Sequence, residues 1–444
     1  MSSLPQVRIS PQEGDGTAHL QAAIDTPGPL HLLLEPGIHR LGGVRLRSDL
    51  TLELLKGAEI HFVSDYAAYA STSVRVVAEE SDRGMLVADG ANNISIIGEG
   101  RIFGNGAAGF TDGDDVEMGT WIAKALRPRV IVLDSCRNVR IDGLRIDDAP
   151  LWTMHLIACD TVSITNVAVD NDRRMPNTDG CAIDGCTNMR IENCQFRTAD
   201  DGIVLKTTRR PDGSLTGPCL NIIARDCIVE SNSCALKLGT ESFSDFRDIV
   251  FEDISIERSN RALGIFSRDG GAVDNIRFSR ITVDCHDKPR GFWGSGEPLT
   301  INTIDRRPEE FPAGKVTGIL VEDVTGTTEG AVNIVAERAG DISGITLRRV
   351  SLKQQVGKFG RAATYDLRPT IADRFDRFAE EGGTGRANAF RLDAEGRVIG
   401  MIDYPSGTPG IFAKGVEGLV TEEVVIARPT PLPEGWNPEC IVRV

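Results

Sequence analysis

The chain has 444 residues, 41% hydrophobic and 25% charged, with 47 Gly against only 4 Tyr. That is ample apolar material for a core, and by length it reads either as two or three ordinary domains or as one long repeat domain. A net charge of −15 argues against nucleic acid and anionic membrane as partners, since phosphate binding needs a basic face. An acidic sugar remains open through a local basic patch.

The N-terminal MSSLPQVRISPQEGDG has no apolar core of signal-peptide length, and no later run approaches about 18 apolar residues, so the chain as given reads as cytoplasmic. GTAHLQAAID from Gly16 reads as a short capping helix, and with LLLEPGIHRL from Leu32 it feeds a first coil, giving an N-terminal cap over about 1–45. A cap is needed because an open first coil exposes strand edges and core.

Beyond the cap, one nine-residue phrase recurs. It leads with Asn, Thr, Asp or Gly and continues as an alternation of apolar and polar residues. An early copy begins at Asn93. The phrase then appears as NVRIDGLRI from Asn138, TVSITNVAV from Thr161, NMRIENCQF from Asn188, NIIARDCIV from Asn221, DIVFEDISI from Asp248 and NIRFSRITV from Asn275. Weaker copies start at Gly318, Gly344 and Gly418, and starts from 138 to 275 differ by 23, 27, 33, 27 and 27 residues. Alternation is strand periodicity. A unit of this size cannot bury its apolar face alone, so units must stack. The expectation is an all-β parallel β-helix filling 1–444 as a single domain. Two irregular zones interrupt it, about 287–312 and about 357–415. The second contains RPTIADRFDRFAEEGG, an amphipathic helix by pattern, and a following stretch that reads as a hairpin. Long insertions in solenoids usually rise from one face, often the binding face.

The ten cysteines show no disulfide framework, and the Cys181–Cys186 spacing has no second pair to make a zinc site, so buried free thiols are expected. No phosphate loop or dinucleotide fingerprint is present, and no cofactor or metal is expected.

Between the phrases from Thr161 and Asn188 lies NTDG, residues 177–180, and 22 residues after Asp179 stands Asp201, within TADDGIVLK. Each Asp-Gly, Asp179-Gly180 and Asp201-Gly202, opens a strand. Aligned coils therefore set Asp179 and Asp201 on adjacent rungs, with Asp200 beside them. Three crowded carboxylates repel, so at least one pKa should rise, which suits glycoside hydrolysis by one protonated acid and one carboxylate acting on water. A lone Asp-Gly is ordinary turn chemistry, and clustered carboxylates also bind calcium. Trp152 and His155 start the coil below Asp179 and suit ring stacking, hydrogen bonding or core packing alike. Lys206 and Lys237 sit on strands near the carboxylates, as anion subsite or as ion-pair partners.

These motifs, from DGTAHLQAAID through PLWTMHL, NTDG, ADDGIVLK and GTES to FWGSGEPL, resemble glycoside hydrolase family 28, the polygalacturonase family, as an atypical bacterial-type member. The resemblance implies a right-handed, pectin-lyase-like parallel β-helix and inverting hydrolysis of galacturonate- or rhamnogalacturonan-derived material. It makes Asp200 the general acid, with Asp179 and Asp201 holding the water and Asn177 orienting Asp179, across a carboxylate separation of roughly 6.5–9.5 Å. Two departures stand out. Cys234 occupies the place of the family's Gly-His-Gly histidine. Gly264-Ile265-Phe266 replaces its uronate-binding Arg-Ile-Lys, leaving Arg261 and Arg268 as flanking guanidiniums. FWGSGEPL, with Trp293 and Glu297, resembles a segment of bacterial members and suits a loop over the cleft. The competing readings are a non-catalytic carbohydrate-binding or structural β-helix, and a polysaccharide lyase on the same scaffold.

Overall fold

The leading residue of every repeat phrase is a corner. Asn93, Asn138, Thr161, Asn188, Asn221, Asp248 and Asn275 all have φ between +54° and +58°, and Gly318, Gly344 and Gly418 have φ of +63° to +65°. Only Gly and, at modest cost, Asn or Asp adopt this left-handed conformation readily, which is why those types lead every copy but the one at Thr161. A second corner follows five residues later in each copy, at Gly98, Gly143, Asn166, Asn193, Asp226, Asp253, Arg280, Asp323, Arg349 and Glu423. Between and after the corners the chain is extended, so each copy bends its strand twice.

The computed structural model describes residues 5–115, 119–288, 292–359, 363–368 and 399–444. Its strands form a right-handed parallel β-helix: a 20-stranded sheet makes two walls and a 13-stranded sheet makes the third, the hand being that of parallel crossovers generally. Register follows the repeat spacing. Arg137 pairs Asp160, Asp160 pairs Thr187, Thr187 pairs Leu220, Leu220 pairs Arg247 and Arg247 pairs Asp274, reproducing the sequence intervals of 23, 27, 33, 27 and 27 residues. Corner side chains tie rung to rung: Asn138 Nδ2 donates to Asn93 Oδ1 at 2.7 Å, and Asn193 Nδ2 to Asn166 Oδ1 at 2.6 Å. Inside, one continuous apolar core runs from Ile9 to Ile411. Phe251 lies flat on Phe278, with centroids 5.2 Å apart. All ten cysteines are free and nine are buried.

The N-terminal helix forms at Thr17–Ile24, burying Leu20 and Ile24, while Gln6–Ile9 pairs with Leu30–Leu34 inside the stretch read as cap. The zone 287–312 is more than an insertion. Leu299–Thr303 within it is a strand of the third sheet, paired with Leu263–Ser267 and with Thr300–Thr303 against Asn333–Ala336. Flanking Gly and Pro had disguised its alternation. In the second zone, Thr364–Asp366 pairs antiparallel with Met401–Asp403. The amphipathic helix expected from RPTIADRFDRFAEEGG, and most of the hairpin after it, fall within 369–398, outside the described residues.

Asp148 is another left-handed corner, φ +51°, and its Oδ1 accepts from the Ala107 amide at 3.0 Å. Burial, with the Asp172 and Asp147 charges adding, pushes its carboxyl up to about 6. A carboxyl raised in the folded state favours folding fully below its unfolded pKa of about 3.9 and loses that contribution as pH rises through about 6. Asp148→Asn keeps both the corner preference and the acceptor without the charge. The variant is expected to be more stable than the parent by roughly 1 kcal/mol at pH 7, discounting for partial exposure, with the advantage gone at about pH 4. Thermal melts at the two pH values check this.

Candidate active site

The third sheet is the floor of the site. Cys181 pairs with Met154 below and Ile203 above, Ile203 with Leu236, and Cys234 with Arg261. Two residues before these strand positions, Trp152, Asp179, Asp201 and Cys234 therefore stand in one column. Backbone bonds confirm it, from Thr153 N to Asp179 O at 2.8 Å and from Gly180 N to Asp201 O at 2.9 Å. The two Asp-Gly pairs are not turns. A Cβ on Gly180 would lie 2.6 Å from Gly202 O and 2.8 Å from the Phe196 ring, and one on Gly202 would lie 2.4 Å from Val229. Glycine is there because the coil packs too tightly for a side chain.

Asp200 is presented by two hydroxyls under its own backbone: Thr198 Oγ1 and Ser231 Oγ each donate to Asp200 O at 2.6 Å. One oxygen each of Asp179, Asp200 and Asp201 falls within 4.8 Å of the others. Adjacent rungs only about 4.8 Å apart bring them together. Asp201 has the donors: Lys237 Nζ at 2.6 Å, Ser233 Oγ at 2.9 Å and the Cys234 amide at 3.2 Å. Asp179 is pushed well above the usual carboxylate range, by burial first and then by the charges of Asp200 and Asp201, which Lys206 and Lys237 only partly offset. One carboxyl of the cluster thus keeps its proton where a solvated Asp has lost it.

Outward-facing strand residues supply the counter-charge. Burial alone would discharge Lys206, but Glu241, Asp179 and Asp201 hold its pKa above the ordinary lysine value. Its Nζ lies 2.8 Å from Glu241 Oε2 and 4.9 Å from the centre of the Trp152 ring. Glu241 and Thr240 enter the cleft through a register shift opposite Leu205–Thr207, where the upper strand carries extra residues; bulges of this kind re-aim side chains beside active sites. Together these groups line a cleft with Phe266, Trp293, Arg261, Arg306 and Arg368.

Of the residues singled out from the sequence, Asp179, Asp200, Asp201, Asn177, Trp152, Lys206, Lys237, Arg261 and Trp293 line this cleft. Three do not. His155 is fully buried, with Nδ1 2.7 Å from Arg129 and Nε2 3.4 Å from Asp184, and burial pushes its pKa down to about 4. It faces outward, but it packs against the Trp152 ring, centroids 4.8 Å apart, and Arg129, which bonds it, is itself fixed by the Val76 and Ser81 carbonyls. Arg268 is fully buried, donating to the Ser267 and Asn302 carbonyls, and burial lowers its pKa to about 9. Glu297 is fully buried as well, accepting from the Ser295 amide at 2.6 Å. These three are struts. Asn177 lines the cleft, yet its Oδ1 takes a bond from Arg127 at 3.0 Å, so it anchors its own loop rather than Asp179. Arg261 is held by Asp366 at 2.9 Å. Arg368 pairs with the same carboxylate at 2.8 Å, and burial notwithstanding, the two guanidiniums keep Asp366 well below the usual range.

Sequence reasoning missed Glu79, Ser233, Thr240, Glu241, Arg306 and Arg368, all in the lining. Thr240 and Glu241 lie in the quoted GTES and were legible there. Arg306 and Arg368 lie in irregular stretches with no repeat position to mark them.

The profile of glycosyl hydrolases family 28 matches residues 46–364. A probable polygalacturonase of Vitis vinifera is 26% identical over 234 residues, 52% of this chain and 47% of that protein. An exo-poly-α-D-galacturonosidase of Dickeya chrysanthemi is 22% identical over 387 residues, 74% of this chain and 64% of that one. The chain spans about half the length of the plant relative and under two thirds of the bacterial one. Among solved structures, a family 28 exopolygalacturonase of Yersinia enterocolitica matches over 100% of this chain and 78% of its own, with a TM-score of 0.66 at 14% identity. That is a likeness of fold alone, and fold alone does not carry function.

Proposed function

The chain belongs to the glycosyl hydrolases of family 28, and from that membership we propose that it hydrolyses glycosidic bonds in pectic poly- or oligosaccharides, galacturonate- or rhamnogalacturonan-derived. The observation that carries the reading is the cluster of Asp179, Asp200 and Asp201, with oxygens within 4.8 Å of one another, at the head of a cleft walled by Trp152 and Trp293.

The division of labour follows from the partners. Asp201 takes Lys237, Ser233 and the Cys234 amide, the donor set of an ionised carboxylate, and is our base for the attacking water. Asp200, at 8% exposure the most open of the three, is our general acid toward the leaving oxygen. Asp179, with its raised pKa, holds the cluster's proton beside Asp200, passes it to Asp200 for the leaving oxygen, and borders the water site with Asp201. Cys234 stands where the family has histidine. Its thiol is buried and pushed up by burial, so its part is the backbone amide to Asp201. Asp200→Asn and Asp201→Asn remove a proton donor and a base without changing shape. Each is expected to lower kcat by about 10²–10⁴-fold with melting temperature preserved, measured as reducing ends released from pectic oligosaccharides. Full activity in either variant, or a product carrying the ultraviolet absorbance of an unsaturated uronide, contradicts the reading.

For stereochemistry we take inversion, on the strength of the NTD and DD motifs. Proton NMR of the first-formed product decides. The anomer opposite to the cleaved bond is expected, and the same anomer means a covalent intermediate.

A further inference from the structure

Every cation that lines the cleft already has a carboxylate partner. Lys237 Nζ lies 2.6 Å from Asp201, and Lys206 Nζ lies 2.8 Å from Glu241. Arg261 and Arg368 lie 2.9 and 2.8 Å from Asp366, and Arg306 pairs with Asp269. These five side chains are only 2% to 14% exposed, whereas the Glu241 side chain is 31% exposed. Burial would raise the Glu241 carboxyl, but Lys206 and Arg306 hold it well below the usual carboxylate range, so it is ionised at neutral pH. The cleft therefore shows an entering ligand a carboxylate ahead of any ammonium or guanidinium.

A second carboxylate is brought to the same cleft at a conformational cost. Glu79 lines it from the turn between Ser73–Ala78 and Ser81–Asp89, where Glu79 and Glu80 have φ of +48° and +61°. A two-residue hairpin turn with both residues left-handed favours Asn, Asp or Gly, and such strain clusters at ligand-holding sites. Ala78, next to Glu79, packs in one cluster with Trp152. Lys206, which bonds Glu241, lies 4.9 Å from the centre of the same ring. Both carboxylates thus belong to the part of the cleft that holds Trp152. Ionised carboxylates accept strong hydrogen bonds from hydroxyls, and an indole offers an apolar face to a pyranose ring. Neither attracts a ligand carboxylate. A uronate here would meet Glu241, and could gain a cation only by breaking a buried pair and stranding its partner.

We propose that the part of the cleft between Trp152 and Glu241 is a subsite for an uncharged sugar ring, recognised through its hydroxyls, and that Glu241 is the specificity-determining residue that excludes a uronate from it. This rests on the pectic reading above and narrows it: the polysaccharide is acidic elsewhere along its length, but the unit seated here is neutral. The test compares an oligogalacturonide with the same oligosaccharide after reduction of its carboxyls to primary alcohols, a pair with one linkage and one ring that differs in charge. The parent is expected to show a kcat/KM at least about tenfold higher on the reduced form. Glu241→Gln keeps the shape, removes the charge and leaves the Lys206 ammonium without its carboxylate. It is expected to cut that preference about tenfold by gaining on the free acid. A parent that favours the free acid, or treats the two alike, overturns the proposal, and this comparison stands even if the variant does not fold. A folded Glu241→Gln enzyme with the parent's preference overturns the role of Glu241. If the parent releases reducing ends from neither of these nor from a rhamnogalacturonan oligosaccharide, the pectic hydrolase reading has failed. The subsite is then judged by calorimetry on the parent. Binding of the reduced oligosaccharide about tenfold tighter than of the free acid supports it; equal binding, the reverse order, or no binding of either overturns it.

Discussion

In-register stacking at rung spacing is the constraint from which the rest of this molecule follows. Left-handed corners five residues apart fix where each strand begins, and backbone bonds between coils then leave no freedom in which residue stands above which. Asp201 must lie over Asp179, at a distance set by hydrogen-bond geometry and not by electrostatic preference. A flexible loop would relax such crowding. A solenoid cannot, and burial together with the repulsion appears instead as a retained proton on Asp179.

What makes this tolerable is the alternation of the strands that follow. Ile203 and Leu205 point into the core while Lys206 points out, and Lys237 does the same one rung higher. Two ammoniums therefore face three carboxyls, close enough for Lys237 to reach Asp201 at 2.6 Å. The outer walls come from segments remote in sequence. Asp366 gathers Arg261, Arg368 and the Gly294 amide, so a short segment near residue 366 locks the 292–297 loop against the rung of Arg261. Such a network breaks at high cost if one partner is removed, and here it fixes the cleft wall without touching the aspartates.

The coil register and the aspartate cluster were legible because both are periodic: corner residues recur with type, and Asp-Gly recurs at the head of two neighbouring strands. The second corner of each coil was harder to see because residues as unlike as Asn193, Arg280 and Glu423 occupy it, so composition gives no mark. His155, Arg268 and Glu297 were misjudged for one reason. Residue type and repeat position do not tell which neighbours take up a side chain's polar atoms: Arg129 and Asp184 do so for His155, the Ser267 and Asn302 carbonyls for Arg268, and the Ser295 amide for Glu297. Arg306 and Arg368 were invisible for the converse reason, since they come from stretches between coils whose position depends on tertiary ion pairs with Asp269 and Asp366. Leu299–Thr303 was hidden by its Gly- and Pro-rich neighbours, although its register against Leu263–Ser267 is regular.

The central claim is electrostatic: stacked rungs force one of three carboxyls to stay protonated, and the neighbouring ammoniums limit how far. The direct measurement is a carboxyl ¹³C NMR titration of aspartate-labelled protein, with the site assigned by difference from Asp179→Asn. One resonance lost in that variant is expected to titrate well above the usual Asp value of about 3.9, and to move higher still in Lys206→Met, where an ammonium that lowers it is gone. Titration of all three carboxyls near that usual value, unmoved by loss of Lys206, would contradict the account.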